Sequence, residues 1–285
     1  MTGEARFPAE AADNTGEARF PAEAAENTGE ARFPAEAAEN AAHGTPESNG
    51  SSGHGFGEDV RARARQIIAR YPESRSALLP LLHLVQAEEG HVSQTGIAFC
   101  AELLGLGIAE VSAVVTFYTM YKRRPCGEHL VSVCTNTLCA VLGGDAIYSA
   151  LSEELGVGHE ETAGQPGAPG SVTLEHAECL AACDLAPVLQ VNYEFFDKQT
   201  PESARELVRA LRRGERPDPS RGAPLTDFKT VELQLAGFFE GREADVAGPS
   251  AAEETLRGAQ LAAERGWTAP TMPDDAPLPP VPEKK

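Results

Sequence analysis

Four cysteines stand in two short-range pairs, Cys134-Thr-Asn-Thr-Leu-Cys139 and Cys179-Leu-Ala-Ala-Cys183. Thiolates are soft ligands, and two per iron is what a binuclear iron–sulfur cluster requires. Drawing two ligands from one short loop keeps the entropy of closing the site small. With four thiolates the oxidised cluster is dianionic, so backbone N–H groups of the ligand loops must offset the charge. The C-x4-C and C-x3-C spacings favour this cluster over a structural zinc site, whose four-cysteine knuckles are usually C-x2-C. Zinc stays open as the alternative. A thioredoxin-type dithiol expects C-x-x-C, which is absent. Cys100 falls on the apolar face of a predicted helix and reads as a small core residue, and Cys126 reads as incidental.

Other chemistry is thinly supported. The seven histidines are scattered without an H-x3-H pair, and His83 sits inside a leucine run as a packed helix residue. Neither a G-x-G-x-x-G after a strand nor a G-x4-GK[ST] occurs, so no nucleotide site is expected. No catalytic residue is singled out. A net charge of −19 and a pI near 4.8 disfavour nucleic acid and anionic membrane surfaces as partners. The sequence has no run of eighteen apolar residues and no signal-peptide pattern at Met1–Glu10, so a cytoplasmic chain with reduced thiols is expected.

The elements that must position the cysteines lie between two extensions. Thr2–Asn14, Thr15–Asn27 and Thr28–Asn40 repeat TGEARFPAEAA[DE]N with a period of 13. Each unit has a central proline and one Phe to bury, which reads as a disordered tail continued by a Gly/Ser/His linker to residue 57. Residues 58–124 carry four helical patterns. The second is capped by Ser74 or Ser76, the third by Ser93, and the fourth begins near Ile108. In 125–214 the period changes. A strand at His129–Val133 runs into Cys134, a helix spans about Gly144 to Leu155, and further strands are read at Ser171–Leu174, Val188–Val191 and Glu194–Phe196. A last helix opens at Pro201-Glu202-Ser203. The order β-α-β-β-α suits a thioredoxin-like layer fold. Residues 215–285 are expected to be mostly disordered, with one helix capped by Ser250 and Glu253 and stopped by Gly266. The fold class is therefore α+β: a small helical domain, a thioredoxin-like domain, and disordered extensions at both ends.

The segments LLPLLHLVQAEEGHVS (78–93), VVTFYTMY (114–121), the P-x-G-x-H-L run at 125–130, VCTNTLC (133–139) and ECLAACDLAP (178–187) resemble the E-type subunit family of NADH:quinone oxidoreductase, respiratory complex I. The same family includes the equivalent subunits of NAD-linked hydrogenases and formate dehydrogenases. The likeness spans about Glu58 to Gly214. It implies a helical domain before a thioredoxin-like domain with one [2Fe–2S] cluster, ligated by Cys134, Cys139, Cys179 and Cys183. It further implies an electron-transfer role beside two partners at the inner face of the membrane. These are the F-type subunit, which binds FMN and NADH, and the G-type iron–sulfur subunit. Two positions depart from the family pattern. Ala181 stands where Gly is common, which strains the backbone if φ is positive. A Thr-Thr-x-Asp-Gly turn is replaced by Thr162-Ala163-Gly164-Gln165-Pro166-Gly167.

Overall fold

The computed structural model describes residues 55–247 and 250–271, so the threefold repeat and the proline-rich end lie outside the described residues. Four helices come first: α1 (Glu58–Ile68), α2 (Leu78–Glu89), α3 (Gln94–Leu104) and α4 (Ile108–Phe117). In α1, Val60, Ala64 and Ile67 recur at helical spacing and are buried. α2 is apolar nearly all round and forms the centre of this core, with Leu78, Leu81, Leu82, Leu84 and Val85 all buried. The serines expected to cap it do not. Ser74–Ala77 form a 3-10 helix that runs into α2, so Leu78 N–H bonds the Arg75 carbonyl instead of a side chain. Ser93 does cap α3, accepting from Gly96 N at 3.0 Å, and Gly105 ends that helix in the left-handed conformation.

The second part is a five-stranded sheet of order β2-β3-β1-β4-β5, built from β1 (His129–Cys134), β2 (Glu161–Ala163), β3 (Val172–Ala177), β4 (Leu189–Val191) and β5 (Glu194–Phe196). Only β1 and β3 pair in parallel; the other pairs are antiparallel. Between β1 and β2 come the short α5 (Thr137–Val141) and α6 (Gly144–Leu155), and α7 (Pro201–Arg212) follows β5. Sequence patterning alone does not show β2, α5 or the extension of β3 to Ala177.

Every residue of β1 is buried, because both faces of the sheet are covered. Val131 and Val133 meet Ile147 and Leu151 of α6 and Val208 and Leu211 of α7. On the other side Leu130 packs with Cys126 and Phe228, while Ser132 donates to Glu175 Oε1 at 2.6 Å. The other oxygen of Glu175 is paired with Lys122, so a buried ion pair joins the end of the helical segment to the sheet. Its charges are matched within the site, as burial requires.

The region after Gly214 departs most from expectation. It carries α8 (Phe228–Leu235) as well as α9 (Glu253–Glu264). Asp227 caps α8, accepting from Thr230 N at 3.0 Å, and α8 lies along α2. α9 starts after Ala252 without a side-chain cap, so Ser250 and Glu253 do not form the expected capping box; Gly266 does follow its end, at φ +62°. No helix among the described residues is long and apolar enough to cross a membrane.

Candidate metal centre

Because β1 and β3 run in parallel, their C-terminal ends lie side by side, with Cys134 opposite Ala177. Both cysteine loops therefore leave the same end of the sheet. Cys139 is the third residue of α5, Cys179 lies two residues beyond β3, and Cys183 opens a 3-10 helix, Cys183–Leu185. Thr135 N–H donates to the Ala177 carbonyl at 3.1 Å, and Cys134 N–H to the Val188 carbonyl at 3.2 Å. Asn136 Nδ2 donates to Glu178 Oε2 at 3.2 Å. The protein's own hydrogen bonds thus tie the loops to each other and to the residue that precedes β4.

The four cysteines predicted from the sequence all lie in or beside the loops at this end of the sheet. Cys134 and Cys139 are buried among Ala182, Leu185 and Val188, whereas Cys179 and Cys183 are exposed. Burial pushes the Cys139 thiol up to about 11; a backbone hydrogen bond at Val188 works against that and the neighbouring Cys134 reinforces it. Hydrogen bonding to Cys179 raises Cys183. Cys179 Sγ and Cys183 Sγ are 4.0 Å apart, and Ala181 N–H donates to Cys179 Sγ at 3.4 Å. Among the described residues no three His, Cys, Asp or Glu side chains converge as ligands of a single metal ion do. Two thiol pairs with an N–H aimed at sulfur are the donor set that suits a binuclear iron–sulfur group.

Ala181 has φ +57°. Its left-handed turn lets the N–H face Cys179, at a strain of about 1–2 kcal/mol for a residue with a Cβ. Ala181→Gly removes that strain but adds flexibility to the unfolded chain, so a net gain of about 0.5–1 kcal/mol is expected. A urea melt of the metal-free variant measures it; a lower midpoint would show that the turn is not strained.

Gly144 contributes something sequence reasoning missed. A Cβ there would lie 2.5 Å from the Cys134 carbonyl oxygen and 2.9 Å from that of Cys139. The first residue of α6 thus supports the backbone of both inner cysteines, and only glycine lets the helix approach so closely. The available signal is the Gly143-Gly144 pair just after Cys139, which by itself reads only as a helix start.

The other two cysteines lie outside these loops. Cys100 is fully buried in the helical core, and burial pushes it up to about 12. Cys126, also pushed up to about 12 by burial, packs with Leu130 and Phe228. His83 is a packed helix residue as expected, but it has a partner: Nδ1 lies 2.6 Å from Glu232 Oε2 of α8. His159 and His176 stack at 4.2 Å and line a cleft of about 350 Å³ that reaches Cys179.

The thioredoxin-like [2Fe-2S] ferredoxin family model matches residues 64–212. The E-type subunit of NADH-quinone oxidoreductase from Mycobacterium tuberculosis is 57% identical over 220 residues, covering 75% of this chain and 85% of that protein. The E-type subunit numbered 2 of the same oxidoreductase in Rhizobium meliloti is 33% identical over 159 residues, covering 56% of this chain and 90% of that one. A third relative, the subunit numbered 2 of the oxidoreductase from Thermus thermophilus, is 34% identical over 165 residues, 57% of this chain and 89% of its own length. The relatedness runs through both cysteine loops, and the chain belongs to the thioredoxin-like [2Fe–2S] ferredoxin family, within its line of E-type NADH-quinone oxidoreductase subunits.

Proposed function

We propose that this chain is the electron-transfer subunit of an NADH:quinone oxidoreductase and holds one [2Fe–2S] cluster on Cys134, Cys139, Cys179 and Cys183. The observation that supports the reading is that both cysteine pairs lie on loops leaving the same end of the adjacent parallel strands β1 and β3. When bound, the cluster supplies one-electron transfer, exchanged with the flavin of an NADH-binding partner. The protein's own residues do the rest. Cys134 and Cys139 hold the dry side against Leu185 and Val188, Ala181 N–H offsets sulfur charge, and the exposed Cys179 and Cys183 mark the open side.

In this reading the chemistry on NADH takes place elsewhere, on an F-type partner that binds FMN and NADH, with the G-type iron–sulfur protein of the complex as a further neighbour. The helical domain is residues 58–124 and the cluster domain 125–214. The complex keeps the chain at the cytoplasmic face of the membrane. Metal analysis of the purified full chain tests the proposal. Iron and acid-labile sulfide in equal amounts, with an EPR signal after dithionite reduction, are expected; zinc without sulfide would replace this reading with a structural metal site.

A further inference from the structure

The apolar pocket of the inner cysteines is not closed by the family domain alone. Cys134, Cys139, Ala182, Leu185 and Val188 form its buried part, and Phe195 and Ala252 pack against it. Ala252 leads into α9 and lies beyond the family match, which ends at residue 212.

Two segments of the extension are fixed at this spot. The first contains Ser220 and Arg221. Ser220 N–H donates to the Phe195 carbonyl at 2.8 Å, and Ser220 Oγ accepts from Asp197 N at 2.9 Å. Arg221 lies over the Phe195 ring at 3.8 Å and pairs with Asp197 at 3.0 Å, both side chains largely buried. Its other terminal nitrogen donates to the Ser250 carbonyl at 3.1 Å. The second segment is the start of α9. Thr255 Oγ1 donates to Asp184, the residue after Cys183, and Lys198 Nζ donates to Glu254 at 2.6 Å. Lys198 N–H is itself bonded to the Leu185 carbonyl at 2.9 Å.

The rest of α9 is different, since the helix buries none of its residues. A short helix without a buried apolar face adds little to the stability of a fold. Its contacts at residues 250–255 go instead to Arg221, Lys198, Asp184 and the apolar pocket.

We propose that residues 250–255, positioned by Arg221, form the outer wall of the metal centre and keep water and competing ligands away from the inner cysteines. The inference rests on the proposed [2Fe–2S] site. With the wall in place Cys134 and Cys139 are each 3% exposed. The apolar shell around a metal site governs solvent access, and with it the ease of ligand exchange. Arg221 acts through the wall: its pairing with Asp197 fixes the guanidinium that holds Ser250.

Iron release from the full chain to excess EDTA under argon tests the wall. Ala252→Glu sets a carboxylate against the apolar pocket, near Asp184, and should release iron about tenfold faster. Thr255→Val keeps the side-chain shape but removes the bond to Asp184, and should release it about fivefold faster. Gln260→Ala, farther along the exposed helix, should match the wild type. Urea midpoints of the metal-free variants are expected to stay at the wild-type value, which separates an opened wall from an unfolded chain. If Ala252→Glu lowers its midpoint, Thr255→Val decides. Wild-type release from Thr255→Val overturns the proposal. So does equal acceleration in Gln260→Ala, which would trace the effect to the helix as a whole. A full chain that holds no iron or sulfide would instead sink the proposed function.

Discussion

Cys179→Ala is expected to abolish the EPR signal of the dithionite-reduced chain and to bring iron and sulfide to background. Cys179 belongs to the exposed outer pair, 4.0 Å from Cys183, and is the sulfur that Ala181 N–H addresses. With three thiolates left, one iron lacks a ligand. A cluster that binds only the folded chain also raises its melting temperature, so the variant should melt with the metal-free wild type. Cys100→Ala and Cys126→Ala serve as controls, since both thiols are buried away from the loops. They should keep the full signal. An unchanged spectrum in Cys179→Ala would refute the ligand set.

The candidate site was legible because its cysteines pair locally. The cysteines of each pair are four or five positions apart, and the run His129–Val133 announces the strand that delivers Cys134. What escaped the sequence was short or long-range. α5 has five residues and β2 three, too few to show a period. The φ of Ala181 could be posed as a question but not answered, since the residue type alone allows either sign. α8 escaped for another reason. Its buried Glu232 reads as a solvated charge until His83, 149 residues earlier, and Tyr193, 39 residues earlier, are seen to face it. Tertiary packing decides the fate of an eight-residue helix, and local propensity does not.

That joint sets the second large effect. Glu232 is fully buried, with Oε2 at 2.6 Å from His83 Nδ1 on α2 and Oε1 accepting from Tyr193 OH at 2.9 Å. Burial and the Glu232 carboxylate push the Tyr193 phenol well above its usual range, so the hydroxyl stays a donor. Tyr193 and Asn192 both have positive φ, at +69° and +47°. Asn192 is held by its own bonds, accepting from Leu130 N at 2.7 Å and donating to the Thr226 carbonyl at 2.7 Å. Tyr193 depends on Glu232, so the same carboxylate pins α8, α2 and the β4–β5 turn. Glu232→Ala strands two buried polar groups and should cost about 3–5 kcal/mol in urea unfolding. Glu232→Gln keeps an acceptor for Tyr193 and should cost about 1–2 kcal/mol. The cysteine loops lie at the far end of β1 from the Leu130–Asn192 contact. Iron content in Glu232→Ala should therefore hold at low temperature while the unfolding midpoint falls. A loss under about 1 kcal/mol would mean that α8 is only leaning on the fold and that the packing around α2 holds without it.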